Sequence, residues 1–244
     1  ADFHGFFSPS QAKRKSKSME KKMKKHSEKI SNLIRHAKRV CQLNRNLSRA
    51  SALELTEMMN EIGPEDVGIT ENVAKTLRNI NYLHLHEEEA FSMGVFMIPP
   101  KKIIPLHDHP GMTVLSRVLF GDLDVLSLDW VGDRAISARQ GGIARVRTEK
   151  QINGPSLCTL EPDRENLHSF GGGEDKGCAI LDIITPPYDD RAGRSCTYYR
   201  VTDRDLVVKA CSKEAEDEMS DLEDIIFVEL KPYNPDFDID TFYL

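Results

Sequence analysis

Residues 79–98 read NINYLHLHEEEAFSMGVFMI, and residues 112–130 read MTVLSRVLFGDLDVLSLDW. In each, β-branched, aromatic and other apolar residues gather in short runs that Glu-Glu-Glu or Gly-Asp interrupts, the pattern of strands joined by turns rather than of a helical stripe. The runs fall at 80–87, 92–98, 112–120 and 122–130, and comparable ones follow at 156–160, 178–185, 196–202 and 225–230. No helical period separates them, so the unit is all-β rather than alternating βαβ. Eight or so short antiparallel strands close best as a jelly roll or small barrel, because closure removes exposed edges. The polar, Gly-rich segment 131–155 reads as a long surface loop, and the acidic stretch 214–224 as another.

Upstream of Asn79 the period is helical. Ile30, Leu33, Ile34, Ala37, Val40, Cys41 and Leu47 recur at helical spacing with Lys29, Arg35, Lys38 and Arg39 off that stripe, which predicts an amphipathic basic helix over 29–47. Ser51-Ala52-Leu53-Glu54 has the form of a capping box and predicts a second helix ending near Gly63-Pro64. Segment 12–25, AKRKSKSMEKKMKK, is too charged to bury anything and reads as a solvated arm. Residues 11–50 hold fourteen Lys or Arg against two Glu, a charge of +12, so with a total of −6 the rest of the chain carries −18. The expected division is a basic arm and helix at 1–50 ahead of a single domain at 51–244, with the arm outside the chemistry.

The acidity of that body argues against nucleic acid as the main partner. Five cysteines, at 41, 158, 178, 196 and 211, are odd in number and scattered without a C-x-x-C pair, which points to a reducing compartment. No run of 18 apolar residues is long enough to cross a bilayer, and no apolar region of a secretory leader follows the basic start. The expected location is the cytoplasm; K-R-K-S-K and K-K-M-K-K leave nuclear import or organelle targeting open. A monomer is expected.

The run Pro105-Leu106-His107-Asp108-His109-Pro110-Gly111 carries the chemistry. Residues i and i+2 of a strand share a face, so His107 and His109 can offer two imidazoles to one metal at a strand end before a Pro-Gly turn. A third ligand must come from elsewhere, and His168 lies 59 residues later on a different strand. Imidazoles suit Fe(II), Zn, Cu or Ni, so the histidines alone do not name the metal. Asp108 points to the opposite face and is not the carboxylate of the usual oxygenase triad. His84 and His86 form a second H-x-H pair, equivalent by spacing, but they alternate with leucine and run into three glutamates, as in an ordinary half-exposed strand. Trp130 and the methionines read as core.

Three separated motifs narrow the choice. Residues 91–112, FSMGVFMIPPKKIIPLHDHPGM, the later Asn166-Leu167-His168, and residues 181–201, LDIITPPYDDRAGRSCTYYRV, together resemble 2-aminoethanethiol (cysteamine) dioxygenase and the related plant cysteine oxidases. The resemblance spans about Pro64 to Val201. It implies a cupin-type double-stranded β-helix, a ferrous centre on His107, His109 and His168, and oxidation by O2 of cysteamine or of a protein's N-terminal cysteine to the sulfinic acid. Cupins generally place a Glu four or five residues after the second His; Thr113 and Val114 stand there, so the four-ligand carboxylate site is absent, as in the thiol dioxygenases. The competing reading is a cupin that binds zinc or nickel without oxygenase activity.

Asp182 is a lone carboxylate in the apolar run CAILDIIT, and burying it unpaired is costly. It is expected to meet the ring N–H of an iron-bound His or the substrate ammonium, or else to cap a turn at the barrel end. Tyr188, after Pro186-Pro187, is placed to aim its hydroxyl at O2 or substrate, or simply packs in a loop. Cys196 and Tyr198, two apart on one strand face, are candidates for a thioether cross-link or are plain neighbours.

Overall fold

The computed structural model describes residues 27–42, 46–203 and 226–243; the arm at 12–25 and the acidic stretch 214–224 lie outside them. Helices α1 (Glu28–Val40), α2 (Arg49–Asn60) and α3 (Glu71–Thr76) precede the strands. Strands β1 (Ile80–Glu87), β2 (Ser92–Ile98), β3 (Ile103–Asp108) and β4 (Thr113–Trp130) lead to α4 (Arg134–Gln140), and β5 (Gly142–Asn153), β6 (Ser156–Leu160), β7 (Leu167–Gly172) and β8 (Cys178–Thr185) follow. β9 (Tyr199–Asp203), β10 (Phe227–Pro232) and β11 (Ile239–Tyr243) complete the set.

These strands form the two faces of a double-stranded β-helix. One sheet runs β11-β1-β2-β8-β4-β6 and the other β3-β7-β4-β5-β10-β9, all antiparallel except β1 with β11. β4 belongs to both: the runs 112–120 and 122–130, expected as two strands, are one strand that passes between sheets at Gly121. Gly121 has φ +83, and a Cβ there would collide with the Gly177 carbonyl, so glycine is required.

The two-residue period of β2 shows how the layers stack. Phe96 and Ile98 join Tyr82, Val118, Ile180, Leu123, Val125 and Phe170 in the barrel interior. Met93, Val95 and Met97 face the other way into a second core with Ile30, Leu33, Leu55 and Met59 of α1 and α2. β2 is therefore buried on both faces, which is why it reads as a continuous apolar run. Helix α1 is thus part of the core of the barrel's outer face, not an appendage to it. Ile30 and Leu33 are fully buried, worth about 1.5–3 kcal/mol each relative to exposure.

Several expectations need correction. Segment 131–155 is not a loop: Asp133 caps α4 by accepting from the Ile136 N–H, Gly141 ends it, and β5 follows. β5 pairs with β4 and β10 but is mostly half-buried or exposed, so its polar composition hid a strand. The first helix stops at Val40, although Cys41 and Leu47 still pack on its core. The second is capped by Ser48, whose hydroxyl accepts from the Ser51 N–H, three residues before the expected start. The runs expected at 196–202 and 225–230 begin at Tyr199 and Phe227, and β11 was not foreseen.

Candidate metal centre

β3 and β7 pair antiparallel with His107 directly opposite His168. One residue past β3, the His109 N–H donates to the Asn166 carbonyl, and its own carbonyl accepts from Met112 across the Pro110-Gly111 turn, where Gly111 takes φ +66. The pairing and the turn bring three rings into a near-equilateral group, with centroids 4.9, 4.7 and 4.8 Å apart. All three are buried, and one ligand nitrogen from each lies within 4.8 Å of the others. His84 and His86, on β1, are apart from this group: His84 packs by Tyr243, and His86 pairs with Glu88.

The hydrogen bonds fix which nitrogen faces inward. His107 Nδ1 donates to the Pro105 carbonyl at 2.8 Å, so in the neutral ring Nε2 carries no proton. The Tyr188 hydroxyl donates to the Asp108 carbonyl at 2.7 Å, so at 2.8 Å from His109 Nδ1 its oxygen accepts that N–H. His109 Nε2 is then a lone pair, and it lies 3.0 Å from His168 Nε2. Burial pushes His107 down to about 4 and holds His109 and His168 well below the ordinary imidazole value, so the cluster is neutral. Neutral, inward lone pairs are what a metal needs. The donor set, three buried neutral imidazoles with no carboxylate among them, fits a divalent transition metal. His168 Nδ1 is buried without a hydrogen-bond partner among the described residues, so none of those residues fixes that ring as Tyr188 fixes His109.

Asp108 faces away from the cluster, as expected. Its carboxylate accepts from the Thr197 N–H at 2.8 Å and from the Tyr199 hydroxyl at 3.0 Å. This clamps segment 196–199 against the histidine strand and sets Tyr198 beside His107, with ring centroids 5.8 Å apart. The Cys196 thiol lies beside the hydroxyls of Tyr188 and Tyr198, and burial pushes it up to about 12. Sequence reading gave Asp108 no task; a buried carboxylate between two ligands was the signal for one.

Asp182 is buried on β8, in register with Ser116 of β4 and Gly94 of β2. Its Oδ1 has no hydrogen-bond partner among the described residues, and burial, opposed by the Ser116 hydroxyl beside it, pushes it up to about 7. A cavity of about 480 Å³ opens between the edges of β5 and β6 and reaches Phe170, whose ring centroid is 4.0 Å from that of His168. Glu165 and Lys150 line it, and neither was singled out from the sequence.

The PCO_ADO family model matches residues 49–241. Plant cysteine oxidase 1 of Arabidopsis thaliana is 37% identical over 158 residues, covering 60% of this chain and 53% of that protein. The probable 2-aminoethanethiol dioxygenase of Dictyostelium discoideum is 34% identical over 190 residues, covering 75% and 78%. 2-Aminoethanethiol dioxygenase of Mus musculus is 34% identical over 175 residues, covering 61% and 67%. The chain thus spans about half the length of the plant relatives it matches. Among solved structures, an RmlC-like cupin protein from Desulfovibrio desulfuricans aligns over 45% of this chain and 85% of its own, with 17% identity and a TM-score of 0.32. The family match takes in β1 to β10, the first three residues of β11 and all three clustered histidines, and the chain belongs to the PCO_ADO family.

Proposed function

We propose that this protein is a non-haem Fe(II) thiol dioxygenase that converts an aminothiol, cysteamine or the N-terminal cysteine of a protein, into its sulfinic acid. The observation that carries this is the group of three neutral, buried imidazoles with no carboxylate among them, in a chain whose relatives are named for cysteine and aminothiol oxidation. The net reaction adds both atoms of O2 to sulfur, and the thiol supplies all four electrons, so no external reductant enters.

His107, His109 and His168 would hold the ion, and a ferrous ion there supplies both the charge that favours a thiolate and the redox chemistry that O2 requires. The chain's residues do the rest. Pro105 and Tyr188 hold two of the rings in the ligating tautomer. Phe170 and Val125 keep that end of the barrel interior apolar. Asp182, pushed up to about 7 by burial and without a hydrogen-bond partner for Oδ1 among the described residues, receives the substrate ammonium or takes up the proton that the thiol releases. Cys196, beside Tyr198, is the partner for a thioether whose formation removes one hydrogen from each residue and two electrons, with O2 as the oxidant. The test is metal analysis together with O2 uptake driven by cysteamine and by an N-terminal-Cys peptide. A protein that holds zinc or nickel and consumes no O2 with either thiol contradicts the proposal.

A further inference from the structure

We propose that the opening between β5 and β6 is a charge-selecting approach to the metal centre, with Glu165 as the residue that favours a cationic, amine-bearing thiol over an anionic one. This rests on the thiol-dioxygenase reading for its substrate, though not for its test.

The cavity is lined by Ser127, Thr148, Lys150, Cys158, Glu165 and Phe170, among others. Two of its lining residues adjoin the metal site: Ser127 pairs in register with His168, and Phe170 packs on the His168 ring. Glu165 is held there at a cost. It takes φ +53, the left-handed region that a residue with a Cβ rarely adopts. The Asp129 carboxylate, itself paired with Arg147, fixes that backbone by accepting the Glu165 N–H. Its own carboxylate is steered by the Thr148 hydroxyl, which donates to it. Three side chains thus hold one carboxylate at the wall of the cavity that leads toward the histidines.

Cys158 lies on the same wall. Burial above all raises its thiol, with the carboxylates of Asp182 and Glu165 adding to that and Lys150 opposing it. Glu165 and Asp182 stand against Lys150 along this path: Asp182 neighbours the cavity through Ser116, which pairs in register with both it and Cys158, and its Oδ1 has no hydrogen-bond partner among the described residues. A cationic thiol meets Glu165 at the half-buried wall and Asp182 in the interior, whereas a thiol bearing a carboxylate is repelled by both.

Cys158 supplies a readout that needs neither metal nor turnover. The full-length, metal-free protein is treated with the trimethylammonium-ethyl or the sulfonato-ethyl methanethiosulfonate, and modification of Cys158 is followed by peptide mass spectrometry, each rate normalised to that of a free thiol. The wild type is expected to prefer the cation. Glu165→Gln should lower the cation-to-anion ratio about fivefold, the size expected for one nearby carboxylate in partly screened surroundings, and Lys150→Met should raise it. Glu174→Gln, an exposed acid paired with Lys101, should leave it unchanged. A ratio within twofold of wild type in Glu165→Gln, an anion preference in the wild type, or no labelling of Cys158 by either reagent overturns the proposal. If Glu165→Gln does not fold, an unchanged ratio in Lys150→Met overturns it instead. In turnover, Glu165→Gln should raise the KM for cysteamine about fivefold relative to that for 2-mercaptoethanol, its uncharged counterpart. A wild-type protein that oxidises no thiol but keeps the labelling preference would sink the dioxygenase reading and leave this site standing.

Discussion

Replacing Tyr188 with Phe removes one oxygen and keeps the ring that packs against Met112, Val114, Leu160 and Ile184. That oxygen holds two buried groups, accepting from His109 Nδ1–H and donating to the Asp108 carbonyl. Orphaning each costs about 1–3 kcal/mol, so the metal-free fold should lose roughly 2–4 kcal/mol once local relaxation is allowed for. Metal binding should suffer separately: His109 is no longer held in the tautomer that leaves Nε2 bare, and lost partners of this kind cost about 10- to 100-fold in affinity. Anaerobic competition for Fe(II) against a chromophoric chelator measures the second effect, and thermal unfolding of the metal-free protein the first. Weaker iron binding of tenfold or more in Tyr188→Phe, beyond what the unfolded fraction explains, is the expected result. Stability that falls while iron affinity stays within twofold of wild type would show that Tyr188 packs and does not position.

Alanine at His107, His109 or His168 should abolish both iron retention and activity, whereas alanine at His84 and His86 together should spare both; iron loss in the double variant with retention in His107→Ala reverses the assignment. Asp182→Asn should lower turnover about 10-fold or more with the fold intact, measured as steady-state kinetics at saturating iron. The same residue predicts a pH effect, read as the difference between metal-free wild type and metal-free Asp182→Asn because the depressed values of His107, His109 and His168 act in the opposite direction in both: its folded value is raised, so the native state holds a proton that the unfolded state gives up, and the wild type's stability relative to the variant should fall as pH rises from about 4 to about 7. Denaturant titrations of the two proteins measure that difference, up to about 1.4 kcal/mol per pH unit. Leu33→Ala should cost about 2–5 kcal/mol of stability, because α1 closes the outer core, and deletion through residue 50 should yield an unstable protein by calorimetry, where removal of 1–26 does not.

The parts of this molecule that were legible in its sequence are those where one physical rule dominates. β2 and β8 are buried on both faces, so their apolar runs mark them within a residue or two. His107 and His109 were readable because two-residue spacing at a strand end places both rings on one side, and His168 because the three motifs recur in order. β5 was hidden because much of its surface faces solvent or a polar cavity, and Arg, Thr, Glu and Lys there carry no apolar period. The β4 crossing was hidden because Gly121 reads as a turn when it is in fact a required close approach to Gly177. Partners set by tertiary contact were not readable: Tyr188 sits 79 residues from His109 and Thr197 89 from Asp108, and only the folded barrel brings them together.

The most direct test of the central claim is turnover of an N-terminal-Cys peptide or cysteamine by the iron-loaded protein under isotopically heavy O2. A sulfinic acid product carrying two heavy oxygen atoms, with one O2 consumed per thiol and none consumed by His107→Ala, is the predicted result. A product that stops at the disulfide, or one whose oxygen comes from water, would contradict it.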